Sequence, residues 1–345
     1  MFHSVVLGPM VWLKKNWFLV GLLVTLLLAV LLSGPGSRMN PGGWTNRIIV
    51  IVLFLITGLK LPSDRIMQDL ATPRLHLMIQ LFIFILAPLY FLTAGLFFRD
   101  TLDGQLLIGI YALAVLPTTV STCIVFTQSS GGNTVAAVFN AALSNTAGIL
   151  ISPVLLSLLL SSSGRALPTE QLLSTIRSLL LNMLAPIVAG QLLRLAIRDW
   201  VTAHGKGLGA ASNALILGVV FLAFSKTASD PSFAGHLASL PWPIVYLAVS
   251  HIILVVAAAG LGRLLRLNVA DRVTALFVAP QKTLALGAPL LTIYFTGQEV
   301  LGVALLPLVF YHPFQILVAS ILKSLPLVRT ATAAAEAVGS RTASS

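Results

Sequence analysis

The sequence predicts an all-α integral membrane protein whose ten transmembrane helices form an inverted 5+5 repeat. Three observations carry this expectation. Only 31 of the 345 residues are charged, or 9%, against about 25% in a soluble domain, while 57% are hydrophobic and the mean hydropathy is +0.97. Apolar stretches of spanning length recur ten times along the chain, and the two halves share short motifs at nearly constant offset. Such a composition excludes a soluble enzyme or a disordered chain, for want of polar surface. It also reads the net charge of +11 as cytoplasmic loops rather than a nucleic-acid-binding face. The single cysteine, Cys123, excludes an intrachain disulfide.

Crossing hydrocarbon takes about 20 mostly apolar residues, with a range of roughly 17–25. The first stretch, 17–33, follows Lys14 and Lys15 as a signal peptide would, yet Ser33-Gly34-Pro35-Gly36-Ser37 offers no A-x-A-like site, so a retained helix is expected. The others are 48–61, 76–98, 105–127, 133–160, 176–195, 208–225, 241–262, 271–295 and 299–322, the second short and the seventh barely long enough. Trp12, Trp17, Trp44, Trp200 and Trp242 all fall near segment ends, where amphipathic rings anchor. Residues 1–16 read as an N-terminal tail, and the Ala-, Ser- and Thr-rich 325–345 as a disordered one. Alternate threading puts 14 of the 21 basic residues on the side of the termini and six on the other, with Lys282 inside a segment. The excess places both termini in the cytoplasm.

The halves resemble each other at three places. Lys60-Leu-Pro-Ser-Asp64 matches Lys226-Thr-Ala-Ser-Asp230 at an offset of 166, Pro117 matches Pro280 at 163, and Gly132-Asn133-Thr134-Val135 matches Gly297-Gln298-Glu299-Val300 at 165. A repeat of five helices inverts its second copy, which is the plan of many secondary transporters.

Polar groups gather where those prolines break segments 4 and 9. A mid-helix Pro removes one backbone hydrogen bond and frees a carbonyl one turn earlier. Thr118, Thr119, Ser121 and Thr122 follow Pro117, and Gln281, Lys282 and Thr283 follow Pro280. Paired interruptions in matching positions point to a substrate or ion site, and plain kinks with hydroxyls bonded back to carbonyls are the alternative. Asn133, Asn140 and Ser144 share one face of segment 5, and Gln80 lies in segment 3; each reads as a site residue or as polar glue between helices. A lysine at mid-span costs about 2.5–3.5 kcal/mol on insertion scales. No acid lies deep in any segment to pair with Lys282. It is therefore expected either to bond backbone carbonyls freed by Pro280 or to act as a fixed cation that faces an anion or exchanges a proton. His251 and His312 read as hydrogen-bonded structural residues. No nucleophile motif, Walker loop or Cys/His metal cluster is present, so neither an enzyme nor a resident cofactor is expected.

At these residues the chain resembles the bile acid:sodium symporter (SBF-like) family, over roughly 17–324. The resemblance is clearest from Pro117-Thr-Thr-Val-Ser-Thr-Cys through Gly132-Asn133 to Ser152-Pro153, and in Gln281-Lys-Thr-Leu-Ala-Leu-Gly287, the second string being similar to a branch with Q-K-[ST] in the ninth helix. It implies a core domain (76–160 and 241–322) whose helices 4 and 9 are discontinuous and cross, and a panel domain (17–61 and 176–226). Substrate would bind between them. In sodium-coupled members a segment-9 E-x-G-x-Q-N string and hydroxyls and amides of segments 4 and 5 hold the ions. Here the Gln matches Gln281, but Phe277 stands for the Glu, Lys282 for the Asn, and Ala137 and Ala141 for hydroxyl residues. Gln80 is similar to a family glutamine, and Asn133 to the Asn that opens segment 5.

The expectation is thus a secondary active transporter of a small organic anion in a bacterial inner membrane, with Lys282 in place of a bound cation. Gln281, Thr283, Thr118, Thr119, Ser121, Thr122, Asn133, Asn140 and Gln80 would complete the site, with H+ as the coupling ion. The alternatives are a sodium-coupled symporter of bile-acid type, with Na+ as coupling ion, and a non-transporting membrane regulator or scaffold.

Overall fold

Hydrocarbon offers a peptide group no water, so a chain this apolar must satisfy its backbone within helices. The computed structural model describes residues 17–61, 72–98, 104–162, 169–231, 235, 240–294, 301–323 and 328, and these hold helices and connecting turns with no strand. The expected tails (save Val328), Trp12, the Ser63-Asp64 end of the first repeat motif and the 297–300 motif lie outside the described residues.

In chain order the helices are α1 (Trp17–Leu31), α2 (Ser33–Arg38), α3 (Trp44–Lys60) and α4 (Pro73–Leu81), the last running through a π-helical turn (Phe82–Leu86) into α5 (Ala87–Phe98). Then come α6 (Gly104–Val115), α7 (Ser121–Gln128), α8 (Thr134–Ser162) and α9 (Thr169–Leu179), with a second π-helical turn (Leu180–Leu184) leading into α10 (Ala185–Ala203). The rest are α11 (Gly205–Ala228), α12 (Pro241–Leu264), α13 (Val269–Val278), α14 (Leu284–Tyr294) and α15 (Leu301–Leu322).

Among the described residues seven helical spans are long and apolar enough to cross a membrane, and α1 and α6 are shorter apolar helices. The difference from ten expected stretches has a physical cause. Segments 105–127 and 271–295 are not single helices: each is interrupted for five residues, 116–120 and 279–283, and α6, α7, α13 and α14 are individually too short. Large apolar side chains point outward as well as inward, with Leu27 60%, Val256 64% and Leu195 82% exposed. Water would penalise that surface; lipid does not.

Two packing sets result. α1, α2, α3 and α10 gather around α11, while α4 to α8 and α12 to α15 pack on one another, and α11 touches α14 and α15 across the join. The α3–α10 crossing is a backbone contact. A Cβ on Gly58 would run into the Ile187 backbone, and one on Gly190 into the Leu55 carbonyl oxygen. Such small residues allow the van der Waals approach that holds helices together in lipid. α10 also closes the end of α3: Gln191 Nε2 donates to Gly58 O and to Leu61 O (3.0 Å), and Arg194 Nη1 to Leu59 O (3.1 Å) and Leu61 O (2.8 Å). Carbonyls orphaned at a helix terminus thereby gain partners.

Candidate functional site

An interruption in mid-membrane exposes carbonyls that helices would otherwise satisfy, so their partners define what the break is for. From the last turn of α6 into the break, every carbonyl from 114 to 118 is accounted for. The Lys282 ammonium donates to Ala114 O (2.8 Å) and Leu116 O (2.9 Å), and at 3.4 Å to Ile83 O. Ser152 Oγ of α8 donates to Val115 O (2.7 Å), the Thr283 N–H to Pro117 O (3.0 Å), and Asn145 Nδ2 to Thr118 O (2.9 Å). The two interrupted helices therefore meet backbone to backbone at Thr283 and Pro117.

Lys282 is 1% exposed. The expectation that it bonds carbonyls holds, but they are not those freed by Pro280. The two nearer ones lie at the other interruption, at the C-terminal end of α6, where the aligned peptide dipoles leave negative charge, and the third, Ile83 O, lies in the first π-helical turn. The acid Asp271 is buried at the start of α13 and bonds to Asn133 and Asn268 instead.

Beside the lysine, Gln281 Oε1 accepts from Thr119 Oγ1 (2.5 Å) and Thr122 Oγ1 (3.1 Å), and Thr122 Oγ1 also lies 2.6 Å from Thr119 Oγ1. Thr118 is buried with its hydroxyl unpartnered. Residues 118, 119, 122, 281, 282 and 283 thus come together. Among the described residues no group of three or more His, Cys, Asp or Glu is placed to hold a metal ion.

Other expected site residues lie elsewhere. Ser121 is exposed at the start of α7. Asn133 caps α8, its Oδ1 accepting from Ala136 N (3.0 Å), and ties that end to α13 through Asp271 Oδ1 (3.0 Å) and Thr274 Oγ1 (2.8 Å). Asn140 forms a separate cluster: its Nδ2 contacts His76 Nδ1 at 2.8 Å, and its Oδ1 accepts from Gln80 Nε2 at 3.0 Å.

Helix α15 supplies what the sequence did not reveal. Tyr311 and Gln315, one turn apart, run along the second interruption. Gln315 Oε1 accepts the Lys282 N–H (2.8 Å), and its Nε2 donates to Lys282 O (2.8 Å). Tyr311 OH lies 3.2 Å from Pro280 O and 2.8 Å from His251 Nδ1, and so links the second interruption to α12. His251 and His312 are both hydrogen-bonded here, as expected of structural residues.

An all-helical chain with a lipid-compatible exterior and two interrupted helices meeting around polar groups in its interior has the construction of a membrane transport protein. Comparison with known proteins names the kind. The chain belongs to the SBF-like CPA transporter family, whose model matches residues 16–325. It is 31% identical to a sodium/bile acid cotransporter 7 of Xenopus tropicalis over 327 residues, 92% of this chain and 93% of the relative. A mouse (Mus musculus) protein of the same name is 32% identical over 316 residues, 90% and 92% of the two chains. An Escherichia coli (strain K12) protein, YfeH, whose name assigns it provisionally as a symporter, is 31% identical over 307 residues, 88% and 91%.

Proposed function

We propose that this protein moves a small organic anion across a membrane by alternating access, as a secondary active transporter with the Lys282 ammonium in place of a bound cation. The ligand set of Lys282 carries the proposal. Unwound carbonyls and the C-terminal ends of half-helices are where transporters hold coupling cations, and Lys282 donates to Ala114 O and Leu116 O at such an end. A covalently attached ammonium occupies that place without any ion gradient. Its charge acts on a passing anion from within the crossing. Release and recapture of its proton would couple the cycle to H+.

A ten-crossing inverted repeat is part of this reading. The seven long spans are joined by α1 and by two interrupted pairs, α6–α7 and α13–α14. Both interruptions are five residues long with Pro in second place, at an offset of 163. The same offset relates the helices that clamp them. Ser152 bonds the carbonyl of the last residue before the first break and Gln315 a backbone N–H within the second, and Gly148 lies against Pro117 as Tyr311 lies against Pro280. The packing set around α11 supports the panel (17–61 and 176–226), and the other set supports the core (76–160 and 241–322). A bacterial inner membrane with both termini cytoplasmic fits the relatives in Escherichia coli and Pseudomonas aeruginosa and the uneven basic residues.

Sodium-coupled symport is the second reading. It is favoured by the relatives named sodium/bile acid cotransporter 7 and by the oxygens of Thr118, Thr119, Thr122 and Gln281 beside the crossing. Uptake of carboxylate, sulfonate and bile-acid-like anions into proteoliposomes, under imposed proton or sodium gradients, separates the two. Uptake that follows the proton gradient, ignores sodium and is lost in Lys282→Met supports the built-in cation. Sodium-driven uptake that survives Lys282→Met overturns it.

A further inference from the structure

We infer that Gln315 is the positioning residue of Lys282, and that His312 reinforces the orientation in which Gln315 acts. This deepens the reading of Lys282 as a built-in cation and rests on it for its consequence in transport.

A primary amide can accept and donate side by side, and Gln315 uses both capacities on the N–H and C=O of one residue, each at 2.8 Å. Lys282 lies in the non-helical stretch 279–283, where neither group has a helical partner. The clamp therefore sets the backbone from which the lysine side chain reaches toward α6. An amide turned end for end would oppose N–H to N–H and O to O. Both bonds would become repulsions, so the two backbone contacts select one orientation, which a third contact can reinforce.

The reinforcing contact is His312. The second hydrogen of Gln315 Nε2 points to His312 Nδ1 at 3.1 Å. Nδ1 is therefore the bare ring nitrogen and the ring proton lies on Nε2. Gln315 is 0% and His312 8% exposed, so both bonds are buried. The His312 ring in turn meets Phe18 of α1 edge-on, with centroids 5.5 Å apart and planes at 89°. A line of contacts thus runs from the first helix to the crossing: Phe18, His312, Gln315, Lys282. Movement of α1 relative to α15 acts first on His312.

Amine labelling tests this without reference to transport. Full-length protein in proteoliposomes is reductively methylated with formaldehyde and borohydride, and occupancy at Lys282 is read by peptide mass spectrometry against exposed Lys206. Wild type is expected to stay unmodified at Lys282. Gln315→Met and His312→Leu are expected to raise its labelling at least about tenfold, by easing local opening. His312→Asn, whose side-chain oxygen takes roughly the place of Nδ1, is expected to restore protection. Ser152→Ala serves as the control, because it removes the equivalent clamp on Val115 O and leaves the Lys282 clamp in place. Labelling of Lys282 in Ser152→Ala to the extent seen in Gln315→Met would mean general loosening and would overturn the inference. So would continued protection in Gln315→Met. Protection is read independently of uptake, so a transporter that tolerated Lys282→Met would sink the built-in cation and leave the positioning result standing.

Discussion

Lys282 has two effects on the free energy that oppose each other. Its removal orphans two buried carbonyls, Ala114 O and Leu116 O, at about 1–3 kcal/mol each. Methionine in its place avoids about 2.5–3.5 kcal/mol of insertion cost for a mid-span lysine. These terms nearly offset, so Lys282→Met is expected to melt within a few degrees of wild type in detergent. Its uptake is expected to fall at least about tenfold, equivalent to about 1.4 kcal/mol. A large drop in melting temperature together with normal specific uptake would give the lysine a purely structural role. Tyr311→Phe removes the hydroxyl that contacts both Pro280 O and His251 Nδ1. A thermal or denaturant melt is expected to show a loss of about 1–3 kcal/mol, and an unchanged melt would mean that water replaces the phenol. The lysine was legible in the sequence because a charge in mid-segment is conspicuous by composition alone. Gln315 and Tyr311 were not, because their partners lie about thirty residues away and depend on how α15 is rotated, which an apolar helix with polar residues on several sides does not reveal.

At the scale of elements, the interruptions were legible and the depth of the polar residues was not. Pro117 and Pro280 mark both breaks, and the carbonyls around them have partners from α8 and α15 or from Lys282 and Thr283 of the second break. The seven-residue spacing of Asn133 and Asn140 places them on one helical face. It also separates them by about 10 Å along the axis, so one caps α8 against α13 while the other bonds Gln80 and His76. Face is read from periodicity, but depth in the membrane is not. The α3–α10 crossing yields the sharpest prediction at this scale. Because a Cβ at Gly190 would strike the Leu55 carbonyl oxygen, Gly190→Val must push the helices apart. It is expected to cost more than about 2 kcal/mol, seen as a lower melting temperature and loss of monodisperse protein after extraction. Gly205, with open space around it, is the control and should tolerate Ala.

For the whole molecule, threading and coupling remain the properties to test. The basic-residue asymmetry expects exposed Arg47 and Lys206 on opposite sides of the membrane. The native Cys123 is buried, so thiol labelling of single substitutions is clean. Arg47→Cys should react with an impermeant maleimide added outside intact cells, and Lys206→Cys only after permeabilisation; the reverse pattern would invert the topology. The ten segments and the repeat could be proposed from one chain because the bilayer imposes one length and one solvent on every helix. The packing of one set on the other could not, because apolar residues face lipid and protein alike. The central claim, that an ammonium fills a cation's place, is tested most directly by the melting temperature of wild type and Lys282→Ala in sodium against choline chloride. A ligand that binds only the folded state raises its stability by mass action. Wild type should be indifferent to sodium, while Lys282→Ala, with its carbonyls freed, should gain a saturable sodium-dependent rise. A sodium-dependent rise in wild type that Lys282→Ala does not enlarge would contradict the claim.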